Sequence, residues 1–181
     1  MFFITEIGVN IDIKYISREI QILSEIRSER VVRYMKTWID NNNSLYIQME
    51  FCSDNLRNIL DVKQQVFQRS NGLMNELEYY ISCKILIELL QSVQYLHDQD
   101  IIHRDLKPTN ILFDEKGKNG IFFKICDFGL AKLHDGNTHT RGMGTPRYIA
   151  PEVSDSHYDT KSDVYSLSVI GHQIFDLDHN W

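Results

Sequence analysis

The stretch His103–Asn110, which reads HRDLKPTN, and the later tripeptide Asp127–Gly129, which reads DFG, decide the fold of this sequence. Asp105 supplies a carboxylate that can accept a hydrogen bond from an attacking hydroxyl. Lys107 can offset negative charge, while Asn110 and the aspartate of DFG carry the hard oxygen ligands that magnesium prefers. These residue types are typical of phosphoryl transfer, which depends on positioning and charge neutralisation. Alone, the HRD tripeptide is equally compatible with a solvated surface turn.

A third motif, Ala150–Glu152, reads APE and follows the other two along the chain. In residues and in order, the three motifs resemble the catalytic domain of protein kinases. The resemblance implies that Asp105 and Lys107 are catalytic and that ATP is the phosphate donor. It also implies that Asn110 and Asp127 bind Mg²⁺. A non-catalytic surface turn becomes a poor explanation once all three motifs are present.

The resemblance extends to the nucleotide site. Glu19 matches the acid that pairs with the family's nucleotide-binding lysine, although a solvated helix charge is the alternative. Met49 matches the residue at the back of the adenine pocket. Glu50 and Cys52 lie on the connecting segment whose backbone bonds adenine, and their side chains could be merely structural. Lys107 and Asn110, on the catalytic loop, complete the expected nucleotide-binding set.

Residues 130–149 match the family's activation segment. Lys107 together with Gly144–Tyr148, which reads GTPRY, resembles the serine/threonine branch, so Ser or Thr is the expected acceptor. Thr140 and Thr145 are candidate regulatory residues near Arg104. Phosphate on Thr140 would offer the guanidinium of Arg104 a charge-assisted partner. An unmodified loop is the alternative.

The family resemblance also predicts a packed column between the two lobes. Leu23, Tyr34, His103 and Phe128 match its members, and Asp163 matches the buried acid that anchors its base. Core packing and function coincide at these positions.

Shorter stretches resemble one group of kinases. They are Val31–Tyr34, Trp38, Leu45–Glu50 and Thr140-Arg141. Together they look like the kinases that phosphorylate translation initiation factor 2 alpha under stress. This resemblance implies that factor as the protein substrate and a kinase-domain homodimer as a possible assembly. Trp38 could instead be a core aromatic.

Composition excludes several other classes. The chain has 181 residues, 43% of them hydrophobic and 24% charged, and a formal net charge of -6. Lys and Arg are scattered, so no direct nucleic-acid partner is expected. Cys52, Cys83 and Cys126 lack zinc-site spacing, which favours free thiols in a reducing compartment. No apolar run is long enough for a membrane span, so a cytoplasmic protein is expected.

The order of predicted elements favours an α+β, two-lobed protein-kinase-like fold. Residues 1–52 are predicted to form a partial small lobe, with antiparallel strands at 31–39 and 45–51 and one helix. Residues 53–181 form a partial, mainly helical large lobe that ends after the helix carrying Asp163. Its expected elements are a helix from an Asn75–Glu78 capping box to Leu96, strands at 111–113 and 121–125 around a Gly-bearing loop, and the Asp163 helix.

Both ends of the chain are short in comparison with the family pattern. No Gly-rich loop precedes the first strand, and aligning that strand places Thr5 where the family has its lysine. These losses predict severe impairment and a chain truncated at both ends. They also predict exposed apolar side chains on the last helix, at Val164, Leu167, Ile170 and Phe175. A pseudokinase-like binding or scaffold module is the alternative function.

Overall fold

The computed structural model describes residues 2–7, 20–41, 44–69, 73–129, 131–133, 144–151 and 159–177. Glu19 and Thr140 lie outside the described residues, so the structure adds nothing to their predicted roles. Residues 20–25 are helical, in agreement with the predicted first helix. Ile22 and Leu23 in this segment are buried.

The first sheet contains strands β1 (Phe2–Ile7), β2 (Tyr34–Ile39) and β3 (Leu45–Glu50). Their order is β1-β3-β2, and both pairings are antiparallel, so the predicted hairpin between the second and third strands is confirmed.

The second strand begins three residues later than predicted. Val31 instead forms an isolated parallel bridge with Ile125. The backbone N–H of Val32 donates to Ile125 O at 3.0 Å, and Ile125 N–H donates to Arg30 O at 2.9 Å. Backbone groups at 30–32 are therefore bonded to the second half of the chain, which prevents them from joining the hairpin.

A second sheet has the order β4-β6-β7, formed by Asp54–Asn55, Ile111–Lys118 and Ile121–Ile125. The predicted Gly-bearing loop is shorter than expected, because β6 continues to Lys118. Asn119 and Gly120 make the turn with φ of 55° and 75°. Two consecutive positive φ values match the twist of a tight hairpin, and Asn-Gly suits them. A two-stranded sheet joins β5 (Ile101–Ile102) to β8 (Lys132–Leu133).

Three further helices are α1 (Leu56–Val66), α2 (Glu76–Asp98) and α3 (Thr160–Ile174). Each begins at a polar cap, since the side chains of Asn55, Asn75 and Asp159 accept hydrogen bonds from first-turn N–H groups. The predicted cap at Asn75 is confirmed. The reciprocal bond of a capping box is not formed, because the Glu78 carboxylate binds Arg69.

The main core lies between α2, α3 and the second sheet. The prediction of exposed apolar side chains on this helix is wrong at Leu167 and Ile170, which are only 3% and 0% exposed, and is confirmed at Val164, which is 54% exposed. Phe175 is partly buried against the core. Leu167 and Ile170 belong to the same hydrophobic cluster as Leu89 on α2. The α+β class is confirmed. No helix within the described ranges is both long and apolar enough to cross a membrane.

Four charged side chains form a partly buried network where α1, α2 and the end of α3 meet. Arg69 bonds both Glu78 and Asp176, and Lys63 lies 2.9 Å from Asp176 and 3.8 Å from Glu78. Lys63 also donates to the carbonyl of Ile174 at the end of α3. Burial opposes ionisation of Asp176, but hydrogen bonds from Lys63 and Arg69 outweigh it and lower the pKa of the carboxyl. Two cations and two anions thereby compensate one another across three helices.

We expect Glu78→Gln to reduce the free energy of unfolding by about 3 kcal/mol, because it leaves buried Lys63 and Arg69 short of one negative charge. Asp61→Asn is the matched control, since it weakens an exposed ion pair with Arg57 and should cost below about 0.5 kcal/mol. Urea denaturation of both variants measures the difference. Equal losses in the two variants would contradict a structural role for the network.

Candidate active site

The loop His103–Asn110 is anchored by the fully buried carboxylate of Asp163, from the first turn of α3. Its Oδ2 accepts the backbone N–H of His103 at 2.9 Å, and its Oδ1 accepts the N–H of Arg104 at 2.9 Å. His97 Nε2, near the end of α2, lies 2.9 Å from Oδ2. The loop can therefore hold Arg104 at a φ of 73°, a conformation that is costly for a residue with a side chain.

The ring of His103 connects this loop to the DFG segment. His103 Nε2 lies 2.9 Å from the carbonyl oxygen of Cys126, and Asp105 N–H donates to His103 Nδ1 at 3.3 Å. This pattern assigns the proton to Nε2. The ring also meets the fully buried ring of Phe128 edge-on, with centroids 5.1 Å apart. These contacts fix the backbone on both sides of the site.

The predicted column is consistent with this packing. Leu23 and Phe128 are buried members of one hydrophobic cluster, and Tyr34 packs against that cluster while partly buried. His103 contacts Phe128 at the other end. The structure thus brings together side chains from both halves of the chain, as the family resemblance implies.

Asp105 is the centre of a hydrogen-bond network. Its Oδ1 accepts the backbone N–H of Thr145 at 2.9 Å and the hydroxyl of Thr145 at 2.8 Å. Its Oδ2 lies 2.6 Å from Lys107 Nζ and 3.2 Å from Asn110 Nδ2. Lys107 Nζ also donates to Thr145 Oγ1 at 3.1 Å. The carboxylate is consequently fixed in orientation, with a cation beside it.

Asn110 and Asp127 fit the donor set of a magnesium site. The Asn110 amide nitrogen donates to both the backbone and side chain of Asp105. Its amide oxygen accepts no hydrogen bond from any residue in the described ranges and is therefore available to a cation. Asp127 is exposed and has a φ of 64°. Among the residues that the structure describes, neither carboxylate oxygen of Asp127 has a hydrogen-bond partner. Hard oxygen atoms of this kind suit Mg²⁺.

Thr145 has a position that the sequence analysis did not anticipate. Its hydroxyl is bonded to Asp105 and Lys107, the two predicted catalytic residues. Arg104 lies beside the preceding residue, since a Cβ on Gly144 would be 2.9 Å from Arg104 O. This arrangement adds a positioning role to the regulatory role predicted for Thr145, and the regulatory role remains a prediction.

The predicted adenine-binding residues lie at the end of β3. Met49 is partly buried against the core and pairs with Tyr34 in the sheet. The Glu50 carboxylate accepts the Arg33 N–H at 2.7 Å and lies 2.9 Å from Lys124 Nζ. Burial, followed by the neighbouring Glu50 carboxylate, raises the pKa of Cys52 to about 11.

Three residues near the site were missed by the sequence analysis. They are His97, which contacts Asp163, and the pair Asp114 and Lys124. Lys124 also contacts Glu50, and all of these contacts join distant parts of the chain. One signal was available for Lys124, because it is the only charge in the apolar strand IFFKI. A charge in such a strand indicates a buried partner.

Comparison with known proteins agrees with this geometry. The family described as "Protein kinase domain" matches residues 5–179, and the chain therefore belongs to that family. It is 36% identical over 168 residues to the serine/threonine-protein kinase pakH of Dictyostelium discoideum, covering 91% of this chain and 30% of the relative. It is 34% identical over 180 residues to the interferon-induced, double-stranded RNA-activated protein kinase of Rattus norvegicus, covering 87% of this chain and 33% of the relative.

Among solved structures, one chain of the yeast RNA Pol II CTD kinase CTDK-1 complex is similar to this chain. The TM-score is 0.76 at 26% identity, and the match covers 97% of this chain and 54% of the other. The protein-kinase fold predicted from the motifs is confirmed. This chain spans about a third of the length of the two curated relatives named above.

We expect Cys52 to react slowly with iodoacetamide in the native protein. A rise in pKa from 9.0 to about 11 lowers the thiolate fraction roughly 100-fold at pH 8. Peptide mass spectrometry of the native and the urea-unfolded chain at pH 8 measures the rate at this cysteine alone. Similar rates in the two states would show that the thiol is not shielded.

We expect Thr145→Val to lower kcat for phosphotransfer about tenfold to 100-fold, because misplacement of a catalytic group by a fraction of an ångström to 1 Å has effects of this order. Thr145→Ser retains the hydroxyl and should restore most of the rate. Steady-state kinetics at saturating ATP compares the two variants. If the serine variant is as slow as the valine variant, the hydroxyl does not position Asp105.

Proposed function

We propose that this protein transfers the γ-phosphate of ATP to serine or threonine residues of a protein. The observation that carries the proposal is the network around Asp105, in which Lys107, Asn110 and Thr145 all bond one carboxylate. A fixed carboxylate beside a cation is suited to accept a hydroxyl proton while charge develops on a phosphoryl group. The name of the relative pakH, a serine/threonine-protein kinase, supports the same class of acceptor.

Each residue of the site has a proposed part in the transfer. Asp105 orients the attacking hydroxyl and accepts its proton, and Lys107 offsets negative charge next to it. Asn110 Oδ1 and the Asp127 carboxylate would hold Mg²⁺, which would neutralise phosphate charge when bound. Asp127 is held close to the loop because Cys126 N–H donates to Asn110 O at 3.0 Å.

The backbone at the end of β3 is the proposed adenine contact. The N–H of Glu50 already donates to Arg33 O at 2.9 Å, so the carbonyl of Glu50 is the group we assign to adenine. At Cys52 the backbone N–H is the proposed donor, since within the described part of the chain nothing accepts a hydrogen bond from it. Met49 closes the back of the pocket. The side chains of Glu50 and Cys52 take no direct part.

Translation initiation factor 2 alpha is the proposed protein substrate. Its support is the sequence resemblance of the stretches 31–34 and 45–50 and of Trp38 to kinases that act on this factor. Identity alone does not single out a group, because 36% and 34% identity are found with two kinases of different names. The same resemblance supports a kinase-domain homodimer as a proposed assembly.

We expect Asp105→Asn to lower the phosphotransfer rate ~10²–10⁴-fold, since the amide cannot accept the hydroxyl proton. The assay uses the full chain with Mg²⁺ and labelled ATP, once with translation initiation factor 2 alpha and once with a generic Ser/Thr peptide. Asp61→Asn, an exposed change on α1, is the matched control and should leave the rate unchanged.

The outcomes separate the possible functions. Transfer to the generic peptide but not to the factor would contradict the substrate and retain the kinase activity. Nucleotide binding without transfer would contradict the kinase activity and favour the binding-module alternative. Equal rates for Asp105→Asn and the parent chain would remove Asp105 from the mechanism.

A further inference from the structure

Lys124 is a buried lysine that contacts both main sheets. Only 4% of its side chain is exposed, and its Nζ lies 2.9 Å from Glu50 Oε1 and 3.2 Å from Asp114 Oδ2. Glu50 is the last residue of β3 in the first sheet, whereas Asp114 and Lys124 lie on β6 and β7 of the second. A single ammonium group therefore connects the two sheets.

The charges of Lys124, Glu50 and Asp114 compensate one another only while all three side chains are present. Burial opposes the positive charge of Lys124, but the bonds to Glu50 and Asp114 outweigh it and raise the pKa of the lysine. Glu50 has a further donor in the Arg33 N–H, which compensates part of the second negative charge. Loss of one member would leave a buried charge without its partner.

The segment that follows Glu50 is fixed at its other end as well. The backbone N–H of Ser53 donates to Phe113 O at 3.0 Å, and the Ser53 hydroxyl lies 3.3 Å from the same oxygen. Phe113 is the neighbour of Asp114 in β6. Residues 51–53 thus lie between an ionic contact at Glu50 and a backbone contact at Ser53, both made to the second sheet.

We propose that Lys124 and Asp114 are positioning residues for the nucleotide: through the Glu50 carboxylate they hold the segment 50–53 in place against the second sheet. The nucleotide part of this inference rests on the proposed function, whereas the mechanical part does not. Neither side chain touches the reacting atoms, since both act through Glu50. The expected effect is on nucleotide affinity more than on the chemical step.

The test compares Lys124→Met with Lys118→Met in the full chain. Lys118 lies on the same hairpin, but its side chain is 66% exposed and its contact with Glu29 is long, at 4.0 Å. It is therefore a matched control for loss of a lysine charge. Hydrogen exchange measured by mass spectrometry should be about tenfold faster in Lys124→Met at the amides of Arg33, Glu50 and Ser53. Exchange within α2 and α3 should stay unchanged, which separates a local effect from general destabilisation.

Nucleotide affinity provides the second measurement. We expect Lys124→Met to raise the KM for ATP about tenfold with kcat changed by less than about threefold. Lys124→Arg retains the charge and should recover most of the affinity. Asp114→Asn is a milder change that should also raise the KM for ATP. It replaces Lys124→Met in the test if that variant does not fold.

Two results would overturn the inference. One is unchanged exchange at Arg33, Glu50 and Ser53 in both the Lys124→Met and Asp114→Asn variants. The other is a fall in kcat with no change in KM. If the parent chain binds no nucleotide, the proposed function fails, and local exchange at the same amides still decides whether Lys124 holds the segment.

Discussion

The buried carboxylate of Asp163 accepts hydrogen bonds from two consecutive backbone N–H groups, at His103 and Arg104, and contacts the ring of His97. A carboxylate without exposure to water is unfavourable unless its lone pairs are occupied, and here both oxygens are occupied. Because Asp163 belongs to the first turn of α3, the helix N-terminus further compensates its charge. The energetic requirement of one side chain thereby dictates the path of the loop that carries Asp105.

This constraint extends from the loop to the DFG segment. With the backbone at 103–104 fixed, the ring of His103 lies against the Cys126 carbonyl and makes an edge-on contact with the ring of Phe128. Phe128 is fully buried, so the residue before it must turn outwards, and Asp127 has a positive φ of 64°. Two non-glycine residues with left-handed backbone, Arg104 and Asp127, thus flank the candidate site. Strain of this kind persists only where surrounding contacts over-determine it.

The sequence was most informative where function requires particular residue types at short spacing. HRDLKPTN and DFG, together with APE, were sufficient to predict the fold. The family resemblance also implied that Asp163 is the buried anchor of the loop, which its bonds to His103 and Arg104 confirm. The cap at Asn75 was also predictable from short spacing, because its bond to the Glu78 N–H lies within one helical turn. The start of β2 was misplaced because Val31 has the strand propensity that the pattern measures, while its partner Ile125 lies far away in the sequence.

Ionic contacts between distant residues are the part that sequence reasoning could not obtain. Glu78 has the spacing of a capping box, yet its carboxylate binds Arg69. A hydrogen bond to a buried cation is stronger than one to an exposed backbone N–H. Lys124 likewise reads as an interruption of an apolar strand until Glu50 and Asp114 are seen on either side. Burying such groups contributes little net stability, whereas removing one partner is costly. What these networks provide is a fixed relation between elements: three helices at Glu78, and two sheets at Lys124. The Lys124 contact lies beside the segment 50–53, whose backbone we assign to adenine. A change in the distance between the two sheets would therefore move the proposed adenine contacts directly.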